Sequence, residues 1–463
     1  MTGKIMIPFQ GEGSDVEELT WSQRSIWEAM QAAKRSIVIG GVVAMPQEST
    51  VEQIGAILRF VMCRHQSLRT RLRFAPDGRP LQVVSPSGEV PLYVVDVADD
   101  QDPAAEAEAI RARQELGTFD YADEWPVWMT VVRHKGKVSH MVAMYSHLAV
   151  DGEGLAALAA DLSNMDHPDG ELGAPVEGIQ PVALARQQRT PGAQRQSAAA
   201  LRNWERVLRT VSPRRFGPCD DPQEPRFWEM ICRSPALLHA VRAVAGRTNI
   251  DSGAVLLAAY AVAMARVTGL SPSVAHVVVH NRFRPGFGGS VSHLAQYAPV
   301  VIDVRNATFD EIVVQSWRAA IAANKHAYYD AAAYLELAAR INGERGDRID
   351  TACYFNDRRG ESRHAAAGET SRQAILDALS YTERTWGSRF DWYDGIFFLQ
   401  VDADPEAIAI AAWADTHHLA PADLETFTHH FETAVVEAAL EPHALAFEGM
   451  PDVTDLPAAS SYL

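Results

Sequence analysis

The sequence predicts a mixed α/β protein built as two similar lobes. Helical apolar spacing alternates with short strand-like runs through both halves of the chain. A stretch poor in periodicity and rich in Pro, Gly and Gln, Asn164 to Gly192, separates those halves. After it, the same helix-then-strand rhythm begins again.

The elements follow in order. Leu19 to Ala33 starts at Thr20, a good N-cap, and puts Ile26, Trp27 and Met30 on one helical face. Val51 to Cys63 repeats that spacing. Leu68 to Phe74 alternates, and with Leu81 to Val84 across the Pro76-Asp77-Gly78 turn it reads as a hairpin. Val127 to Val132 and Val138 to Ser146 are strands, followed by a helix from Glu153 to about Leu162. In the second half Asp251-Ser252 caps an Ala-rich helix ending at Gly269, and a buried strand occupies Val274 to His280. Further strands are expected at Tyr297 to Val304, Thr351 to Phe355, Gly395 to Val401 and Ala407 to Trp413, with a closing amphipathic helix at Pro421 to Leu440.

The balance of 42 basic and 59 acidic side chains, a net charge of −17, argues against nucleic acid and against an anionic membrane surface as partners. The longest apolar stretch, Gly253 to Ala265, is too short to span a bilayer, and the N-terminus has no signal-like apolar run. Four scattered cysteines (Cys63, Cys219, Cys232, Cys353) fit neither a zinc site nor a disulfide scaffold, so no metal is expected. These features point to a cytoplasmic protein.

The chemistry centres on Ser146-His147-Leu148-Ala149-Val150-Asp151-Gly152. A strand leads in and a helix leaves, so His147 stands at a strand end while Asp151-Gly152 turns the chain into the helix. Taken alone, the same residues would suit an N-cap and a buried structural histidine equally well. Their company decides. Leu19-Thr20-Trp21-Ser22-Gln23-Arg24-Ser25-Ile26-Trp27 resembles the opening motif of nonribosomal peptide synthetase condensation domains, which reads like LSYAQRRLW. Arg64-His65-Gln66-Ser67-Leu68-Arg69-Thr70 resembles their RHExLRT, and Ser146 to Gly152 their HHxxxDG with Ser for the first His. Phe119-Asp120, Asn281-Arg282, Val291 to Pro299 (against VGxFVNTLP) and Trp413 to Phe431 agree in order, so the resemblance runs from about residue 15 to 440. Ser292 and Gln296 depart from the Gly and Asn of VGxFVNTLP.

The resemblance implies two chloramphenicol acetyltransferase-like lobes in a V-shaped pseudodimer: residues 1–175 as the N-terminal lobe, and 176–463 as a linker plus the C-terminal lobe. It implies a freestanding condensation enzyme, since neither an adenylation-like segment nor a carrier-type Ser motif is seen. That enzyme would join an acyl group, carried on the phosphopantetheine arm of an acyl or peptidyl carrier protein, to an amine or hydroxyl, with no bound cofactor of its own. The acceptor is a small molecule or is itself carrier-bound.

His147, Asp151 and Gly152 form the implied catalytic group. His147 Nε2 holds or deprotonates the nucleophile, Asp151 pairs with an arginine, and Gly152 supplies the turn and an amide for the oxyanion. Arg64, Arg69 and Arg282 are the candidates for that arginine. Ser146, Gln296 and Arg282 are assigned to the substrate side. Ser146 as a nucleophile is disfavoured because neighbouring strand residues face opposite ways. Eight arginines against one acid, Glu205, lie between Arg186 and Arg215, and Arg202, Arg206 and Arg209 are the expected docking surface for an acidic carrier. The alternatives from other classes are an inactive domain that recruits tailoring enzymes and a coenzyme A-dependent acyltransferase.

Overall fold

A computed structural model describes residues 2–165, 175–217, 219–360, 370–393 and 395–447. The chain gathers into two compact units. The first comprises Met1–Ala199, His280–Gln296 and Tyr328–Leu335; the second comprises Ala200–Val279, Tyr297–Ala327 and Glu336–Leu463. The chain therefore crosses between units several times, and residues 176–199 cluster with the first.

The elements of the first part of the chain are β1 (Thr2–Gln10), β2 (Asp15–Glu18), α1 (Trp21–Ala33), β3 (Val38–Ala44), α2 (Val51–Arg64), β4 (Thr70–Phe74), β5 (Pro80–Val84) and β6 (Ser87–Val97). They continue with α3 (Pro103–Glu115), β7 (Val127–His134), β8 (Lys137–Ser146), α4 (Gly152–Asp161), α5 (Pro181–Gln188) and α6 (Pro191–Thr210). A five-stranded mixed sheet runs β1-β6-β7-β8-β3, and a three-stranded sheet runs β2-β5-β4. In the larger sheet β6 and β7 are parallel and the other pairs antiparallel.

Local chemistry explains the boundaries. Thr20 and Thr50 close capping boxes with Gln23 and Gln53, each satisfying two amides that a helix start leaves open. The β4–β5 hairpin turns at Gly78, whose φ of 82° is the left-handed geometry that glycine accepts without strain. Two expectations are corrected here. Gln66–Arg69 form a short 3₁₀ turn ahead of β4, because buried Ser67, Leu68 and Arg69 all serve the interior instead of alternating. The connecting stretch also contains α5, which starts on Pro181 and buries Leu184 in a cluster with Trp21, Phe287, Leu294 and Tyr328. Residues 166–174 of that stretch lie outside the described residues.

The remaining elements are β9 (Phe227–Ser234), α7 (Pro235–Thr248), α8 (Ser252–Thr268), β10 (Ser273–Val279), β11 (Gln296–Ile302), α9 (Phe309–His326), α10 (Ala331–Arg345) and β12 (Cys353–Asp357). After them come α11 (Arg372–Ala378), β13 (Glu383–Phe390), β14 (Phe397–Ala403), β15 (Ile408–Asp415) and α12 (Pro421–Leu440). Their mixed sheet has the order β11-β10-β12-β14-β15-β9-β13. Its core includes α8, where every residue from Ala254 to Ala265 is buried, together with Phe397, Phe427 and Phe431. A helix apolar on all sides belongs inside a core. Among the described residues no single helix is long and apolar enough to cross a membrane. The four cysteines are free.

Candidate active site

The site is built in the first unit from the end of β8, the start of α4 and the irregular segment Ser290–Ala295 ahead of β11. The His147 amide donates to the Ile37 carbonyl at 2.8 Å, which extends the β3–β8 pairing by one bond past Ser146. The chain then turns back, with the Ala149 amide on the Ser146 carbonyl at 2.9 Å. This turn lays the half-buried His147 ring against its own loop, and Nδ1 lies 2.8 Å from the Val150 carbonyl. A carbonyl can only accept, so Nδ1 carries a proton, and in the neutral ring the lone pair is on Nε2.

Asp151 caps α4 and is the hub of the site. Its Oδ1 accepts the Gly154 amide at 2.8 Å and lies 2.8 Å from Arg282 Nη2. Its Oδ2 accepts the amides of Leu294 and Ala295 at 2.8 and 2.9 Å. Burial opposes the charged carboxyl, but the Arg282 guanidinium, with these amides, outweighs it and holds Asp151 below the usual carboxylate range. Arg282 also donates to the Ser290 and Ser292 carbonyls at 3.1 and 2.9 Å. Asp151 is thus the carboxylate of a structural clamp, and its arginine is Arg282.

The other candidates are placed elsewhere. Arg64 grips Asp161 at the far end of α4, with Nε at 2.6 Å from Oδ2 and Nη2 at 2.7 Å from Oδ1. His65 Nε2 lies 2.9 Å from the same carboxylate. Burial lowers the His65 pKa more than Asp161 raises it, so the ring is neutral there. Arg69 spans the carbonyls of Gly13 and Ser85, at 2.9 and 2.8 Å, and of Glu12. The helix leaving the site is therefore anchored at both ends, by Arg282 at Asp151 and by Arg64 at Asp161.

The three residues assigned to the substrate side also have partners within the protein. Ser146 is fully buried; its Oγ is 3.0 Å from the Tyr121 hydroxyl and accepts the Leu148 amide at 3.3 Å. Gln296 is buried too, donating to the Tyr329 carbonyl at 2.9 Å and accepting the Tyr329 amide at 3.3 Å. Arg282 gives Nη2 to the clamp, while its buried Nε and Nη1 have no hydrogen-bond partner among the described residues. All three hold the protein's own backbone or side chains. Gly152, for its part, does not need glycine's conformational freedom: its φ is not in the left-handed region, and an added Cβ would meet nothing within 4 Å.

The glycine that the packing requires is Gly154, which the motif reading passed over. A Cβ there would sit 2.6 Å from Val150 Cγ2 and 2.9 Å from both Arg282 Nη2 and the Ser292 carbonyl. Its signal was a residue of poor helix propensity in the first turn of an Ala-rich helix. Gly154→Ala is expected to cost about 1–3 kcal/mol by overpacking the clamp. Gly152→Ala should stay within about 1 kcal/mol of the parent. Urea unfolding of the two variants checks the pair; equal losses would refute the assignment.

The sequence reading also missed His293, which is 5% exposed and packs edge-to-face on His147, with ring centroids 4.9 Å apart and planes at 87°. Its segment, Ser290 to Ala295, mixes polar and apolar residues without periodicity and so gives no signal that this ring points inward.

On the arginine-rich stretch, Arg186 and Arg189 pair with Glu17, Arg214 with Asp347, and Arg215 is buried. Arg209 is held by Glu205 at 3.0 Å and Glu344 at 2.8 Å. Arg202 and Arg206 are exposed and make no ion pair among the described residues. Of the expected docking residues, Arg202 and Arg206 are those left without an ion pair there, both on α6.

The family model described as Condensation domain matches residues 14–448, nearly the whole chain. The chain belongs to the Condensation domain family. This condensation domain is 23% identical over 347 residues to nonribosomal peptide synthetase penN of Penicillium thymicola, covering 70% of this chain and 12% of that protein. It is 29% identical over 272 residues to the isonitrile lipopeptide synthase of Mycobacterium tuberculosis, covering 56% of this chain and 11% of that one. The chain thus spans about a tenth of the length of these curated relatives. Among solved structures, the first condensation domain of the CDA synthetase superposes with a TM-score of 0.68 at 15% identity, covering 94% of this chain and 98% of that one. The likeness places the condensation domain in the chloramphenicol acetyltransferase-like fold.

Proposed function

We propose that this condensation domain joins an acyl or aminoacyl group, held as a thioester on the phosphopantetheine arm of a carrier protein, to an amine or a hydroxyl. The single observation that carries the reading is the hydrogen bond from His147 Nδ1 to the Val150 carbonyl, which commits the ring to the tautomer of a base at Nε2. Nε2 takes the proton from the acceptor N–H or O–H as that atom attacks the thioester carbonyl. The tetrahedral intermediate collapses, the C–S bond breaks, and the proton passes from Nε2 to the departing thiolate. An amide or ester and a free carrier thiol result. The Gly152 amide at the start of α4 is the group on hand to receive the oxyanion. Asp151 acts through position: it fixes the loop and does not share a proton with His147.

The test is reconstitution with an acyl-loaded carrier protein and free or carrier-bound amines and alcohols, followed by intact-protein mass spectrometry. Product with the parent that collapses in His147→Ala supports the reading. Carrier binding without turnover under any acceptor moves the assignment to recruitment of a tailoring enzyme, and turnover with acyl-coenzyme A alone moves it to a coenzyme A-dependent acyltransferase.

Carrier docking on α6 has its own check. An acidic carrier would meet the exposed Arg202 and Arg206. Arg202→Glu/Arg206→Glu is expected to weaken carrier binding about tenfold at low salt and flatten its salt dependence. Unchanged binding by titration calorimetry dismisses this surface.

A further inference from the structure

The segment that carries His293 is neither helix nor strand, yet side chains brought from four other places in the first unit hold its backbone. Arg282 Nη2 takes the Ser290 and Ser292 carbonyls, at 3.1 and 2.9 Å. Ser67 Oγ donates to the Val291 carbonyl at 2.7 Å, Ser22 Oγ to the His293 carbonyl at 2.7 Å, and Asn281 Nδ2 to the Leu294 carbonyl at 3.0 Å. Asp151 accepts the next two amides, those of Leu294 and Ala295. Five successive carbonyls and two successive amides are fixed by side chains, so the backbone at His293 cannot drift relative to the loop that holds His147. Such anchoring exceeds what a filler residue needs.

The ring held there is set at right angles to His147, with centroids 4.9 Å apart. Burial, with His147 and Arg282 nearby, pushes the His293 pKa down to about 3 against the pull of Asp151, so the ring is neutral. Its Nδ1 is buried with no hydrogen-bond partner among the described residues. An uncharged aromatic wall restricts the rotation of a neighbouring ring without adding a repulsive charge beside it.

We propose that His293 is a positioning residue, whose buried ring holds the His147 imidazole in the orientation that bonds Val150 and presents Nε2. The proposal deepens the condensation reading and rests on His147 being the base. It acts through ring shape, so phenylalanine should substitute for it and alanine should not.

The experiment combines kinetics with ¹⁵N-histidine NMR of the full chain. In the parent, His147 should show the Nδ1-protonated tautomer. His293→Ala is expected to mix the His147 tautomers and lower kcat about 10- to 100-fold, with KM within threefold. His293→Phe should keep both the parent tautomer and a kcat within threefold. Circular dichroism and the melting temperature establish that both variants fold. An alanine variant with parental tautomer and kcat overturns the proposal, as does a phenylalanine variant as impaired as alanine. If the parent shows no turnover with any acceptor, the condensation reading fails separately, and the tautomer comparison still decides the role of His293.

Discussion

His147→Ala is expected to lower ester formation by about 10²–10⁴-fold, the range a positioned general base supplies, and to lower amide formation less. The difference follows from the acceptor. An α-amine has a pKa near roughly 8 and is partly neutral at pH 7, so it needs positioning more than deprotonation. An alcohol keeps its proton until the transition state and needs a base at the attacking atom. The Nδ1–Val150 bond leaves that base at Nε2. Parallel kinetics with an amine and an alcohol acceptor on the same donor carrier decide it. Loss of amide synthesis with ester synthesis retained would reverse the argument.

Asp151→Ala is expected to destabilise the protein by about 3–5 kcal/mol, the usual cost of leaving a buried charge without its partner. Arg282 would remain buried beside the clamp, while the Gly154, Leu294 and Ala295 amides would lose their acceptor. The melting temperature should fall by at least about 3 °C. Asp151→Asn retains part of the hydrogen bonding and should lie between the two. The folded carboxyl titrates below its ordinary 3.8, so its stabilisation is complete above about pH 4 and fades as pH falls through the folded value. The stability gap between the parent and the asparagine variant should therefore narrow below pH 4. A constant gap down to pH 3, or alanine within 1 kcal/mol of the parent, would show that the clamp is not carried by this charge.

What the sequence made legible was local. Thr20 and Asp251 cap the helices they were expected to cap, Gly269 ends α8 in the left-handed conformation, and Pro421–Leu440 closes the chain as a helix. The loop with His147 and Asp151 was visible because a strand, a turn and a helix start follow each other directly. The choice among three arginines was not legible, since it depends on where the chain returns to the first unit. Gln296 and Ser146 stand at motif positions assigned to the substrate side, and only the fold reveals their partners Tyr329 and Tyr121. His293 was hidden for a related reason: an irregular segment has no periodicity to say which side chain points inward. Ser22 and Ser67 lie within the first two motifs, and their task, holding the carbonyls of His293 and Val291, shows only when those distant stretches meet.

The return of His280–Gln296 and Tyr328–Leu335 to the first unit also has a consequence at the ribosome. When residue 199 has emerged, Asp151 has been made but its partner Arg282 has not. The nascent first unit must wait for Ala200–Val279 of the second to be made before its buried carboxylate meets its cation. A gene fragment cut at residue 199 would freeze the chain in that waiting state, so the two units cannot be dissected there without orphaning the charge at the centre of the site.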